Sequence, residues 1–118
     1  MIIHGKERGF FLSTGASIEI ADICPDKDLK RVGEILQGSY GEVTMVGAEF
    51  IAIMNKAYES SLRYEQPDHP YDPITVDEVL SLSPTVYAEA MQAAMETFAQ
   101  DSKQTVEVEP PKKEKAPQ

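Results

Sequence analysis

The feature that most constrains this chain is its longest apolar periodicity, which runs from Glu42 to Glu65. Val43, Val46, Phe50, Ile53, Met54 and Ala57 recur at spacings of three and four, which predicts a helix with one continuous stripe. Met45, Ala48, Ile51 and Ala52 make its first half apolar nearly all round, so the helix needs partners on several sides. Gly47 costs about 1 kcal/mol relative to alanine in a helix interior, and close packing is the natural compensation. Beyond Asn55 the segment turns polar (Lys56, Glu59, Ser60, Ser61, Arg63, Glu65) and is expected to run into solvent. Pro67, Pro70 and Pro73 then enforce an extended loop, because each removes an amide donor and disfavours helix in its predecessor.

The rest of the chain reads as elements that could wrap this helix. Met1–Ile3 and Glu7–Leu12 form a β-hairpin turning at His4-Gly5-Lys6, where Gly5 supplies positive φ. Two strands alone are marginal in water, so the hairpin must lie on helices or pair further. Gly9 marks a bulge or a close backbone approach. Ser13-Thr14-Gly15 offers an N-cap to a short helix over Ala16–Cys24, whose apolar side is Ile20, Ile23 and Cys24 and which Pro25 stops. Asp26 is expected to cap a second short helix carrying Leu29, Val32 and Leu36, with Ile35 beside them. Gly38 and Gly41 bracket Tyr40 in a turn. Thr75-Val76-Asp77-Glu78 is a capping box, and Ser83-Pro84 starts a last helix bearing Tyr87, Met91, Ala94 and Phe98. After Asp101 only Val106, Val108 and Ala116 are apolar. The expected fold is therefore mostly α: a small helical bundle with a short N-terminal β-hairpin over residues 1–101, then a flexible C-terminal tail over 102–118. Phe10, Leu12, Ile20, Val32, Phe50, Ile53, Tyr87, Met91 and Phe98 are its expected core.

Charge placement narrows the function classes. The formal net charge is −9 over 118 residues. Residues 101–118 are neutral, so the surplus lies in residues 1–100, with 16 acids against 7 bases. From Tyr64 to Gln100 there are acids and no Lys or Arg. Nucleic-acid binding needs cations set against phosphates, so no nucleic-acid partner is expected, and a basic protein surface is the natural one. No apolar run approaches the ~20 residues of a membrane span, and Lys6 and Arg8 precede no apolar signal region, so no membrane partner is expected either. The single cysteine, Cys24, excludes an internal disulfide and points to a reducing compartment, the cytoplasm.

Catalytic constellations are missing from the pattern. His4 and His69 lie in a turn and a proline-rich loop without a nucleophile in sequence reach, and no catalytic residue, metal site or cofactor is assigned. Asp68, His69 and Asp72 have ligand chemistry but read more simply as a hydrophilic loop. The candidate residues are instead for partner binding: the acids Glu65, Asp68, Asp72, Asp77, Glu78, Glu89 and Glu96, the pair Met91 and Met95, and the tail residues Val106 and Val108. Methionine pairs suit adaptable surfaces, although a stripe at helical spacing also reads as core. The alternation Thr105-Val106-Glu107-Val108-Glu109 suits either a strand that pairs with a free edge or a solvated linker.

Together these segments resemble the tail assembly chaperones of long-tailed phages and prophages of Gram-positive bacteria. The resemblance rests on Ile2-Ile3-His4-Gly5-Lys6-Glu7-Arg8-Gly9-Phe10, on Thr14-Gly15-Ala16 entering a helix that ends near Cys24-Pro25-Asp26, and on Asn55-Lys56-Ala57-Tyr58-Glu59. It continues with Ile74-Thr75-Val76-Asp77-Glu78-Val79 and the Lys- and Glu-rich end. It implies a non-enzymatic protein of the bacterial host cytoplasm that binds the helical tape measure protein before the tail tube assembles. It further implies a short form of a pair whose frameshifted longer form engages the major tail protein, with Lys112-Lys113 as a site for the slip. Two other readings stand beside it: a small structural tail or connector protein, and a regulatory protein-binding module of a mobile element. The oligomeric state is left open, a homo-oligomer included.

Overall fold

The computed structural model describes the backbone of residues 1–108 and the side chains of residues 1–103. The long helix, α2 (Tyr40–Glu65), is the axis against which the helical elements pack. It starts two residues before the expected Glu42. Ser39 Oγ accepts from Glu42 N at 3.3 Å while Glu42 Oε1 accepts from Ser39 N at 3.2 Å, a reciprocal cap that draws Tyr40 and Gly41 into the first turn. The chain turn predicted at Gly38–Gly41 falls at Gly38 alone, whose φ of 130° only glycine adopts readily.

Before α2, strands β1 (Ile2–Ile3) and β2 (Lys6–Glu7) pair antiparallel in the register Ile2↔Glu7 and Ile3↔Lys6. His4 and Gly5 both take positive φ at the turn, as a two-residue hairpin loop requires. The second strand stops at Glu7, well short of the expected Leu12, because the following residues bond to α2 instead: Asn55 Nδ2 donates to Gly9 O at 2.9 Å and Phe11 N to Met54 O at 3.1 Å. Gly9 is the close approach that its position suggested. A Cβ there would stand 2.5 Å from the Tyr58 ring.

Helix α1 (Thr14–Asp22) is capped by Ser13, ends two residues before the expected Cys24, and buries Ala16 and Ile20. The second short helix is not α-helical. Residues Pro25–Lys27 and Leu29–Leu36 form 3-10 turns, with Asp28 rather than Asp26 accepting from the first free amide. Asp26 has φ of 57° and its carboxylate pairs with Arg31 instead. With three residues per turn the apolar positions rotate, so Ile35 is buried and Leu36 is left exposed.

Helix α3 (Val76–Leu80) carries the predicted Thr75–Glu78 capping box. Helix α4 (Pro84–Val108) starts from Ser83, whose Oγ accepts from Val86 N at 3.3 Å. It continues beyond Asp101, where the tail was expected to begin. Thr105–Val108, read as part of a strand or a linker, lies in this helix, and Glu109 and the Lys112-Lys113 slip site lie outside the described residues.

The core is where α2 meets its neighbours. Phe50, Ile51 and Met54 of α2 pack with Ala90, Met91, Ala94 and Phe98 of α4, Val79 of α3, Ile20 of α1, and Ile35 and Ile74. The rings of Phe50 and Phe98 meet edge to face at 5.8 Å. Phe10, Leu12, Val32, Ile53 and Tyr87, expected in the core, pack against it but keep part of their surface open. Gly47 allows the tight α2–α4 crossing, since a Cβ there would strike the Tyr87 hydroxyl. The fold is thus a small, mostly α-helical bundle with an N-terminal hairpin. Among the described residues no helix is long and apolar enough to cross a membrane.

Candidate functional site

Three chain junctions converge on one side of the bundle: the first turns of α2, the link from α3 to α4, and the first turns of α4. Between them lies a groove of about 290 Å³. Tyr40 and Thr44 line it from α2, Val79, Leu80 and Leu82 from α3 and the link, and Pro84, Tyr87 and Ala88 from α4. Val79 is fully buried, whereas Tyr40 is 80% exposed and Leu80 39% exposed, so apolar surface is open to solvent here. Tyr87 is fixed by its hydroxyl, which donates to the Thr44 carbonyl at 2.8 Å across the helix crossing. Burial raises its phenol above the ordinary value, and neighbouring Tyr40 adds to the shift.

None of the candidate binding residues read from the sequence lines this groove. Glu65 and Asp68 are exposed at the end of α2 and in the loop after it. Asp72 is exposed but engaged: Lys6 Nζ donates to its carboxylate at 2.6 Å, and this bond and charge, with Arg8 nearby, hold its pKa below the usual carboxylate value. Glu78 closes the α3 capping box and faces Arg8 at 3.9 Å. Asp77 beside it is exposed. Glu89 and Glu96 lie seven residues apart on α4, both exposed, and Gln92 donates to Glu96 at 3.2 Å. Seven residues is close to two turns, so these two acids share a face. Met91 is buried in the core and Met95 packs against it, so the methionine pair is core packing rather than an adaptable surface. Val106 and Val108 lie in the last turns of α4, beyond the described side chains.

A second polar centre sits on the opposite half of α2. The segment after Asn55 runs into solvent only at its end, where Arg63, Tyr64 and Glu65 are exposed; Asn55 is fully buried and Glu59 is 2% exposed. The reason is that the N-terminal arm and the proline-rich loop fold back over it. Asn55 Oδ1 accepts from Ile74 N at 2.8 Å while its Nδ2 holds the arm at Gly9, so one amide side chain joins both coverings. Arg8, 4% exposed, donates to the Asp72 carbonyl. Glu59 faces His69 Nε2 at 3.5 Å, and Arg63 lies over the Tyr71 ring at 4.2 Å. These contacts anchor the loop. They put His69 and Asp72 to separate uses, and no cluster of three or more His, Cys, Asp or Glu ligands occurs among the described residues.

No family model, curated protein or solved structure matches the chain.

The groove was not foreseen from the sequence. Its signals are Ser39-Tyr40, a cap followed by a large aromatic residue in the first turn, and Leu80 and Leu82, more apolar bulk than a five-residue helix can bury.

Proposed function

We propose that this protein is a non-enzymatic tail assembly chaperone of a long-tailed phage or prophage. In this reading it binds a basic helical segment of the tape measure protein in the host cytoplasm and keeps it soluble until the tail tube assembles. The observation that carries the reading is the distribution of charge over the elements that form the open apolar face. Residues 40–55, 76–80 and 84–102 carry Glu42, Glu49, Asp77, Glu78, Glu89, Glu96 and Asp101 and not one Lys or Arg. The bases elsewhere are largely committed: Lys6 to Asp72, Arg8 to Glu78, Arg31 to Asp26 and Glu34, and Lys56 to Glu19.

An apolar groove built from helices that carry carboxylates and no lysine or arginine favours a partner with apolar and cationic side chains. Electrostatic attraction raises its encounter rate, and apolar burial supplies the affinity. A long helical protein awaiting assembly exposes such stripes and aggregates through them, so covering them is a chaperone's task. The order of segments along the chain, which resembles that of tail assembly chaperones, supports the same reading. The test is co-expression with a tape measure protein of the phage or prophage that carries this gene. The expected result is a shift of that protein from the pellet to the soluble fraction, and its recovery in complex with this chain. Equal insolubility with and without this chain would reject the proposal.

A further inference from the structure

We infer that the groove between Tyr40, Leu80 and Tyr87 is the seat for one bulky apolar anchor side chain of a basic helical segment. This inference rests on the chaperone reading and adds to it the place and the chemistry of contact. A volume of about 290 Å³ is at the lower end of ligand-pocket sizes and suits a phenylalanine- or leucine-sized group rather than a whole cofactor. The lining is mostly aliphatic and aromatic, with the Tyr87 hydroxyl satisfied by the Thr44 carbonyl and only the Tyr40 and Thr44 hydroxyls as further polar side-chain groups, so it offers chiefly burial. Selectivity then falls to the surroundings. Asp77 and Glu89, in the same helices as lining residues Leu80 and Ala88, are exposed, and no ion pair reaches either among the described residues.

Charge and reach select among the occupants. A second copy of this chain would bring the same base-free, acid-rich elements against themselves, and like charges set face to face oppose docking. The chain's own basic stretch, Lys112 to Lys115, cannot return to the groove within one molecule. The groove takes in Pro84 to Ala88 of α4, and the helix carries Val108 roughly 30 Å beyond Ala88. Lys115 is seven residues further, and a fully extended chain of that length spans only about 25 Å. A separate basic partner is the occupant that meets both conditions.

The experiment uses the full chain and a synthetic amphipathic helical peptide about 20 residues long, made of lysine, glutamine and alanine with one central phenylalanine. Binding is followed by amide chemical shifts and by calorimetry. Two variants carry the same added charge on the same exposed helix face class: Ala88→Arg in the groove and Ala99→Arg three turns away. Both sites are solvent-exposed, and circular dichroism confirms their folding. The expected result is shifts centred on Tyr40, Leu80 and Tyr87, with affinity falling at least about tenfold for Ala88→Arg or for the peptide with alanine in place of phenylalanine. Ala99→Arg should change it less than about threefold. Equal losses for the two arginine variants, or indifference to the phenylalanine, would overturn the groove while leaving a charge-driven chaperone standing. No binding by the wild-type chain of this peptide, together with failure of the co-expression test, would remove both. Concentration-dependent self-association that Ala88→Arg abolishes would overturn the inference in favour of a second copy.

Discussion

Replacing Gly9 with alanine tests how the N-terminal arm is held on α2. The new methyl would lie 2.5 Å from Cε1 and Cζ of Tyr58 and 2.7 Å from Cε2. Ordinary carbon contacts are about 3.5–4.0 Å, so either the arm or the ring must retreat by roughly 1 Å. The arm cannot do so cheaply. It is tied on one side by the 2.9 Å bond from Asn55 to Gly9 O and on the other by the 3.1 Å bond from Phe11 N to Met54 O. Overpacking of this kind costs about 1–3 kcal/mol, and loss of the Asn55 bond adds about 0.5–1.5 kcal/mol. Alanine's smaller unfolded-state entropy returns about 0.4–1 kcal/mol. The expected net loss is therefore about 2 kcal/mol, or a fall of roughly 6–12 °C in Tm for a domain of this size.

Urea denaturation of four proteins measures it: wild type, Gly9→Ala, Tyr58→Leu and the double variant. If the ring is the obstacle, Gly9→Ala should cost under about 0.5 kcal/mol once Tyr58 is leucine, leaving a coupling above about 1 kcal/mol. Additive losses, or an unchanged Gly9→Ala protein, would refute the packing argument.

Phe50→Ala should cost about 3–5 kcal/mol, because the ring is fully buried against Phe98; a variant melting like wild type would contradict that core. Lys6→Ala should raise the Asp72 titration midpoint toward the ordinary value, read by carboxyl-carbon NMR. Asp72 is depressed in the fold, so its contribution is present above the unfolded pKa and is lost as pH falls through the folded one; a midpoint that does not move would show that Lys6 is not the cause. Burial, and then Asp28 and Glu34, raise the Cys24 thiol, so a thiol reagent near pH 8 should label it only as the chain unfolds, and fast labelling of the native protein would disprove its burial. The protein should leave labelled DNA and RNA unshifted at physiological salt, and a salt-sensitive micromolar complex would overturn the charge argument.

The helical architecture was legible because its signals are local. The periodicity from Val43 to Ala57, the Thr75–Glu78 box and Ser83-Pro84 each fix an element within a few residues of sequence. What was not legible depends on contacts made at a distance. Asn55 and Glu59 look like the start of a solvated helix end, since polar residues ordinarily face water. Asn55 is buried because Gly9 and Ile74, 46 and 19 positions away, supply its hydrogen-bond partners, and Glu59 lies beneath the proline-rich loop, facing His69. The same blindness affected the candidate site. Asp72 and Glu78 read as partner-binding candidates, Glu78 also as the acid of the capping box, and the sequence does not show that Lys6 and Arg8 reach them from the far end of the chain. Tyr40 reads as a turn residue because Gly38 and Gly41 bracket it, and only the fold shows that the Ser39–Glu42 cap draws it into α2.

The acidity around the groove has two separable origins. Carboxylates are favourable in the first turn of a helix, where they meet the positive end of the dipole and the unpaired amides. Glu42 in α2 and Asp77 and Glu78 in α3 stand in first turns, and two of them close capping boxes. Where helix starts gather, folding alone therefore supplies negative charge, and those acids say little about a partner. The absence of lysine and arginine is different. Met45, Ala88, Glu89 and Gln92 are exposed positions of α2 and α4 beyond their first turns. Lysine and arginine are good helix formers there and would add solubility at almost no cost in stability. A fold with a formal charge of −9 would even gain from a few cations by relief of self-repulsion. Folding does not ask for a base-free face, and binding a basic segment does. Lysine at Glu89 and Gln92 together should accordingly leave melting unchanged or raised while weakening capture of the basic peptide. Lost stability in that variant would return the whole pattern to the fold.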